Sequence, residues 1–187
     1  MNETNGPRRN LNLKGLSAFD MRTMKPNGEN WNFCKKGERD LAYKMIQDMN
    51  PDFVIGSPPC TPWCAWNQHL NFKKMDPAKA KAMMEEGRIH LEFVARMYRR
   101  QLANGKLFLH EQPATALSWK EKSIMELLAR SDVQLVVADQ CQYGLTAPSK
   151  GGERLPALKP TKCMTNAPSL AALLQQKMRP QPQAPSS

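Results

Sequence analysis

Three short continuous apolar runs punctuate the chain, separated by longer stretches whose apolar residues repeat at helical spacing. Phe53-Val54-Ile55, Leu107-Phe108-Leu109 and Val133–Ala138 (VQLVVA) have the β-branched and aromatic make-up of buried strands. Ahead of the first, Leu41, Met45, Ile46 and Met49 predict a helix from about Glu38, ended at Asn50-Pro51 because the residue before proline is pushed out of the α region. Asp76-Pro77 opens a second helix, with Asp as N-cap and Pro at N1. It runs to about Ala103, facing Ala80, Met83, Met84, Leu91, Val94, Ala95, Tyr98 and Leu102 inward, weakened by Gly87 and stopped at Asn104-Gly105. Ser118 with Glu121 reads as a capping box for a third helix carrying Ile124, Leu127 and Leu128.

Strands alternating with helices predict an α/β domain whose strands run parallel through right-handed crossovers. Weaker pattern surrounds this centre. Leu16–Met21 reads as a short strand ending in Asp20, Lys25–Glu29 as a turn, and Cys64–Lys74 as a loop carrying Trp66, His69 and Phe72. The division is a polar leader over 1–14, the α/β domain over 15–166, a short helix within 167–178 (Ser169 to Lys177), and a Pro/Gln/Ser tail over 179–187.

Charge adds a partner class. Net charge is +10, and from Gly144 onward Lys150, Arg154, Lys159, Lys162, Lys177 and Arg179 stand against Glu153 alone. A basic surface of this kind favours a polyanion, most often nucleic acid. Five scattered cysteines, an odd number, fit free thiols in a reducing compartment rather than a disulfide framework. No stretch is long enough to span a bilayer, and no apolar signal region opens the chain, so the expectation is an intracellular protein, cytoplasmic or nuclear, without a membrane partner.

Candidate chemistry gathers where the strands end. Gly56 and Ser57 are followed by Pro58-Pro59, which stop the first strand, and then by Cys60. His110-Glu111-Gln112-Pro113 follows the second run, and Asp139–Gly144 the third. In open parallel sheets these ends lie along one edge, where ligands bind. A cysteine near a strand is most often a small buried hydrophobe; past two prolines it can be exposed, and a nucleophilic role then needs its thiolate. Glu111 reads either as a surface carboxylate or as a buried carboxyl able to give a proton, and His110 as a packed side chain. Cys60, Cys64 and His69 offer a third reading, metal ligation, at a spacing that matches no strong zinc pattern. Trp63, Trp66 and Trp119 read as core or as stacking surfaces for bases.

Together these segments resemble the DNA (cytosine-5) methyltransferases. Gly56-Ser57-Pro58-Pro59-Cys60-Thr61-Pro62-Trp63 is similar to that family's Pro-Cys catalytic loop, Glu111-Gln112-Pro113 to its Glu-Asn-Val motif, and Asp139–Gly144 to the Tyr-Gly segment that follows. The resemblance covers at most Asp20 to Arg154. It implies a partial Rossmann-like, S-adenosylmethionine-dependent methyltransferase fold with a mainly parallel sheet flanked by helices. It also implies Cys60 as nucleophile and Glu111 as the acid at cytosine N3. Ser57, Pro59, Thr61, Gln112 and Arg154 would then bind substrate DNA, and Asp20, Asn32 and Pro58 would bind S-adenosylmethionine.

The family's Gly-rich cofactor loop is absent upstream of Cys60; Thr61 and Gln112 stand where it has Gln and Asn, and its Gln-x-Arg-x-Arg motif is not legible in TAPSKGGERL. The chain thus resembles a truncated or degenerate relative, such as a mobile element carries, with a second chain supplying the cofactor half. The alternative is a non-catalytic nucleic-acid-binding remnant. A second resemblance, of Ser57-Pro58-Pro59 to the Ser-Pro-Pro-aromatic motif of amino-methyltransferases, is broken by Cys60 in the aromatic position.

Overall fold

The computed structural model describes residues 15–20, 22–64 and 66–175. In chain order the elements are α1 (Lys36–Met49), β1 (Phe53–Gly56), α2 (Phe72–Lys74), α3 (Pro77–Ala103), β2 (Leu107–Pro113), α4 (Lys122–Leu128), β3 (Gln134–Asp139), β4 (Thr146–Pro148), β5 (Arg154–Pro156), β6 (Pro160–Thr165) and α5 (Pro168–Leu174). The predicted strand–helix alternation holds as far as β3. The Asp76 cap is in place as well, its carboxylate accepting from the backbone N–H groups of Ala78 at 2.7 Å and Lys79 at 3.2 Å.

The sheet is mixed, which corrects the mainly parallel expectation. Its order is β1-β2-β6-β3; β1 and β2 are parallel, while β6 lies antiparallel to both β2 and β3. After β3 the chain turns through a 3-10 helix, Gln140–Tyr143, and a small β4–β5 hairpin, then doubles back beside the strand it has just left. A strand that returns without a long crossover can pair only antiparallel. β6 is hidden in the sequence because Pro160-Thr-Lys-Cys-Met-Thr carries polar residues that read as loop, yet Thr161 and Thr165 are both buried. The Thr165 hydroxyl is satisfied by the Phe108 carbonyl. Because β6 reverses between them, β1, β2 and β3 still point the same way, and their C-terminal ends share one edge.

One face of the sheet packs on α3 and α4 through Trp63, Leu91, Tyr98, Phe108, Trp119, Ile124, Leu127 and Met164. On the other face α5 covers only the β3–β6 half, where Val136, Cys163 and Ala171 meet. Phe53, Ile55 and Leu107 on the β1–β2 half stay exposed. A third cluster joins α1 to α3. There Phe19, Trp31, Phe33 and Phe93 form a ladder of rings with successive centroids 5.3, 5.4 and 5.2 Å apart.

Several local expectations change. Residues 15–20 form no strand, and Met21 lies outside the described residues. The stretch read as a loop from Cys64 is helical, a π-helix over Asn67–Asn71 running into α2, with Asn71 Nδ2 bonded to Asn67 Oδ1 at 2.6 Å. Ser118 sits in a 3-10 turn, Leu117–Lys120, with its hydroxyl buried; α4 begins only at Lys122, so no capping box forms. Ala42 and Ile46, rather than Leu41, are the buried positions of α1. The last helix spans Pro168–Leu174, and the leader, the tail and residues 176–178 lie outside the described residues. Among the described residues no helix is long and apolar enough to cross a membrane.

Candidate functional site at the strand ends

Two glycines fix the turn that presents Cys60. A Cβ on Gly56 would lie 1.9 Å from the Tyr98 hydroxyl oxygen, so only glycine lets the end of β1 pass over that buried ring. A Cβ on Gly87 would meet Pro62 at 3.0 Å and Trp63 at 3.2 Å. The glycine that looks like a weak point in α3 is therefore the notch that seats the Thr61–Trp63 turn. Bonds from Asn67 Nδ2 to the Thr61 carbonyl and from Gln68 Nε2 to the Pro62 carbonyl, each 2.8 Å, close the turn from the other side. Cys60 stands at its start with an exposed thiol, next to exposed Pro59 and Thr61.

Glu111 is where three strand ends meet. Ser57, just past β1, donates its hydroxyl to Glu111 Oε2 at 2.7 Å. Gln140, just past β3, donates Nε2 to Glu111 Oε1 at 3.2 Å. Register makes this possible: Gly56 pairs with His110, which sets Ser57 beside Glu111, while Glu111 pairs across to Cys163 and Cys163 to Val136. The carboxylate is half-buried, open on one side, and held by two neutral donors. Gln140 is the contact that the sequence hid; the one clue was its place directly after the third apolar run.

The flanking residues of β2 point the other way, as strand alternation requires. His110 is fully buried, its Nδ1 is 3.0 Å from the Tyr98 hydroxyl, and burial lowers its pKa to about 3. Burial also holds the Tyr98 phenol well above its usual range, so the hydroxyl keeps its proton and donates it to a neutral imidazole. The ring stands edge-on to Trp119, centroids 5.2 Å apart. Gln112 is buried too, its Nε2 donating to the Pro58 carbonyl, so it braces the proline turn instead of facing substrate. Cys163, opposite Glu111, is a buried thiol pushed up to about 11 by burial and by the neighbouring carboxylate, whereas at this edge Cys60 is exposed and Cys141, just past β3, is half-buried.

Other predicted residues are not gathered here. Arg154 lies on β5, where Nε and Nη2 bond Thr146 at 2.9 and 3.0 Å. Asp20 caps the N–H of Arg22 at 2.8 Å, and Asn32 Oδ1 caps that of Cys34 at 3.0 Å. Pro58 is buried with its carbonyl taken by Gln112. The three residues assigned to S-adenosylmethionine are thus committed to separate local bonds and form no cradle. Among the described residues β1 is also the edge strand, with no further strand beside it to carry one. The described residues do not fit that cofactor. Two cavities, of about 290 and 260 Å³, lie between α3 and α4 around Arg99 and Glu126, away from the strand ends. No cluster of three or more metal-ligating side chains occurs among the described residues, which sets aside Cys60, Cys64 and His69 as ligands. Trp63 and Trp119 are core, whereas Trp66 is exposed.

Set against known proteins, the chain matches no family model, no curated protein and no solved structure.

Proposed function

We propose that this chain is a DNA (cytosine-5) methyltransferase-like protein whose strand-end edge takes an unstacked cytosine, with Cys60 as nucleophile and Glu111 as proton donor. The observation that carries the reading is the Glu111 carboxylate, tied to Ser57 and Gln140 at the ends of two other strands, with an exposed cysteine three residues along the chain from Ser57. A cytosine inside a duplex is out of reach, so the substrate is single-stranded or flipped. The Cys60 thiol loses its proton to solvent, and its sulfur adds to C6. The C5=C6 electrons move through C4 to N3, and N3 takes the proton of Glu111 in its acid form. Ser57 accommodates both states of Glu111, because a hydroxyl can donate to the carboxylate or turn and accept from the acid. C5 is then an enamine carbon that accepts an electrophile; loss of the C5 proton to solvent with expulsion of the thiolate, and return of the N3 proton to Glu111, restores the ring.

The described residues do not build a place for the methyl donor, so that half falls to a second chain. The edge of β1, which pairs with no further strand among the described residues, and the exposed Phe53, Ile55 and Leu107 beside it are the surface on which it would add. The same missing cradle is what favours the other reading, a non-catalytic remnant that binds nucleic acid through its basic surface.

Addition to C6 can be read without any methyl donor, because the enamine also picks up hydrogen from water. In D2O a cytosine-containing oligodeoxynucleotide should exchange its C5 hydrogen for deuterium in the presence of the protein, and Cys60→Ser should abolish the exchange. Retention of the oligonucleotide without exchange leaves the non-catalytic reading; neither retention nor exchange removes both.

A further inference from the structure

The chain has four tryptophans, and they are not alike. Trp31, Trp63 and Trp119 are 3%, 1% and 7% exposed, whereas Trp66 is 73% exposed. An indole left in water forgoes the burial that a side chain of this size normally gains. This one does not hang on a loose loop. It opens the π-helix Asn67–Asn71, whose next two residues bond back to the carbonyls of Thr61 and Pro62, and Gln68 Nε2 also lies 3.0 Å from Met84 Sδ on α3. The turn that begins at Cys60 and the helical arm that begins at Trp66 are therefore one braced unit, seated on α3 by the Gly87 notch. π-helical turns concentrate at functional sites. Along the arm Leu70 and Lys74 follow Trp66 at intervals of four and are exposed, as are His69 and Lys73.

We infer that Trp66 is a stacking platform for a nucleobase next to the one held at Cys60 and Glu111, and that the exposed lysines of the arm lie along the sugar–phosphate chain. A flat exposed ring accepts any base, and flanking cations supply the backbone attraction that single-strand binding requires. This inference rests on the nucleic-acid reading of the strand-end site and narrows it to an unstacked, single-stranded segment of at least two nucleotides. An exposed tryptophan also suits a protein contact. The net charge of +10 and the neighbouring Lys73 and Lys74 favour the polyanion.

Fluorescence separates the possibilities, because Trp66 supplies the water-exposed part of the emission. A short single-stranded oligodeoxynucleotide should quench the red, acrylamide-accessible component and leave the buried component unchanged. Trp66→Ala should weaken binding of the same labelled oligonucleotide about tenfold or more at fixed salt, and Trp66→Phe should restore part of the loss. Undiminished binding by Trp66→Ala overturns the stacking role and leaves the strand-end reading standing. Failure of the unaltered protein to bind overturns both. A blue shift of the exposed component with rising protein concentration, without nucleic acid, makes Trp66 a protein contact and also overturns the proposal.

Discussion

His110, Glu111 and Gln112 are three consecutive polar residues on one strand with opposite fates. His110 and Gln112 turn into the α3 side of the sheet, where they are buried and bonded to Tyr98 and to the Pro58 carbonyl. Glu111 turns to the other side, half-buried, where Ser57 and Gln140 are its side-chain partners among the described residues. Composition does not distinguish them; the pleat does. Gln112 braces the turn that carries Cys60, and the outward carboxylate stays half-buried between Ser57 and Gln140. Two cysteines divide in the same way, Cys163 across from Glu111 buried with a raised pKa and Cys60 past the end of β1 exposed.

Perturbing the inward side should act on stability. Gly56→Ala should cost the most, about 3 kcal/mol, since the Cβ would collide with a Tyr98 ring that is stacked on Phe108 and bonded to His110 and so cannot move aside. Urea unfolding measures it, and adding Tyr98→Phe should return part of the loss by removing the atom in the way.

Acid is the next largest effect. His110 stays neutral in the fold down to about pH 3, while in the unfolded chain it takes a proton below about 6.5. The unfolded state thus binds the extra proton in that window, and stability falls as pH falls, by about 2 kcal/mol between pH 7 and pH 5. His90, whose pKa burial also lowers, adds in the same direction. Unfolding curves over this range test the slope, and the NMR titration of His110 should show no midpoint above pH 4.

Tyr98→Phe should cost about 1.5 kcal/mol, because it strips a buried imidazole nitrogen of its partner. Smallest is Glu111→Gln, within about 0.5 kcal/mol of the unaltered protein, since an open, half-buried position tolerates the change. On the outward side, brief alkylation at neutral pH should label Cys60 and spare Cys163.

Much of this was legible because it follows from short-range pattern. The β1, β2 and β3 runs, the Asp76-Pro77 helix start and the meeting of strand ends come from apolar runs and breakers, which act locally. β6 was not legible, since its Thr and Lys residues are accommodated by neighbours on both sides that only the tertiary fold supplies. Gln112 is a substrate ligand only through the resemblance to the Glu-Asn-Val motif, and the alternation that turns it inward depends on the register of β2. Gly87 looked like a flaw in a helix until Pro62 and Trp63 were seen against it. The same limit applies to Gln140, whose bond to Glu111 joins residues that local pattern does not connect.

The most direct test of this division is the rate of cytosine C5 deuterium exchange in Glu111→Gln, measured beside its unfolding midpoint. The account predicts a midpoint close to that of the unaltered protein and a rate lower by about 10² to 10⁴, the usual share of a positioned acid. Exchange at the unaltered rate in a folded Glu111→Gln would contradict it, and the strand-end carboxylate would then be scaffolding like its two neighbours.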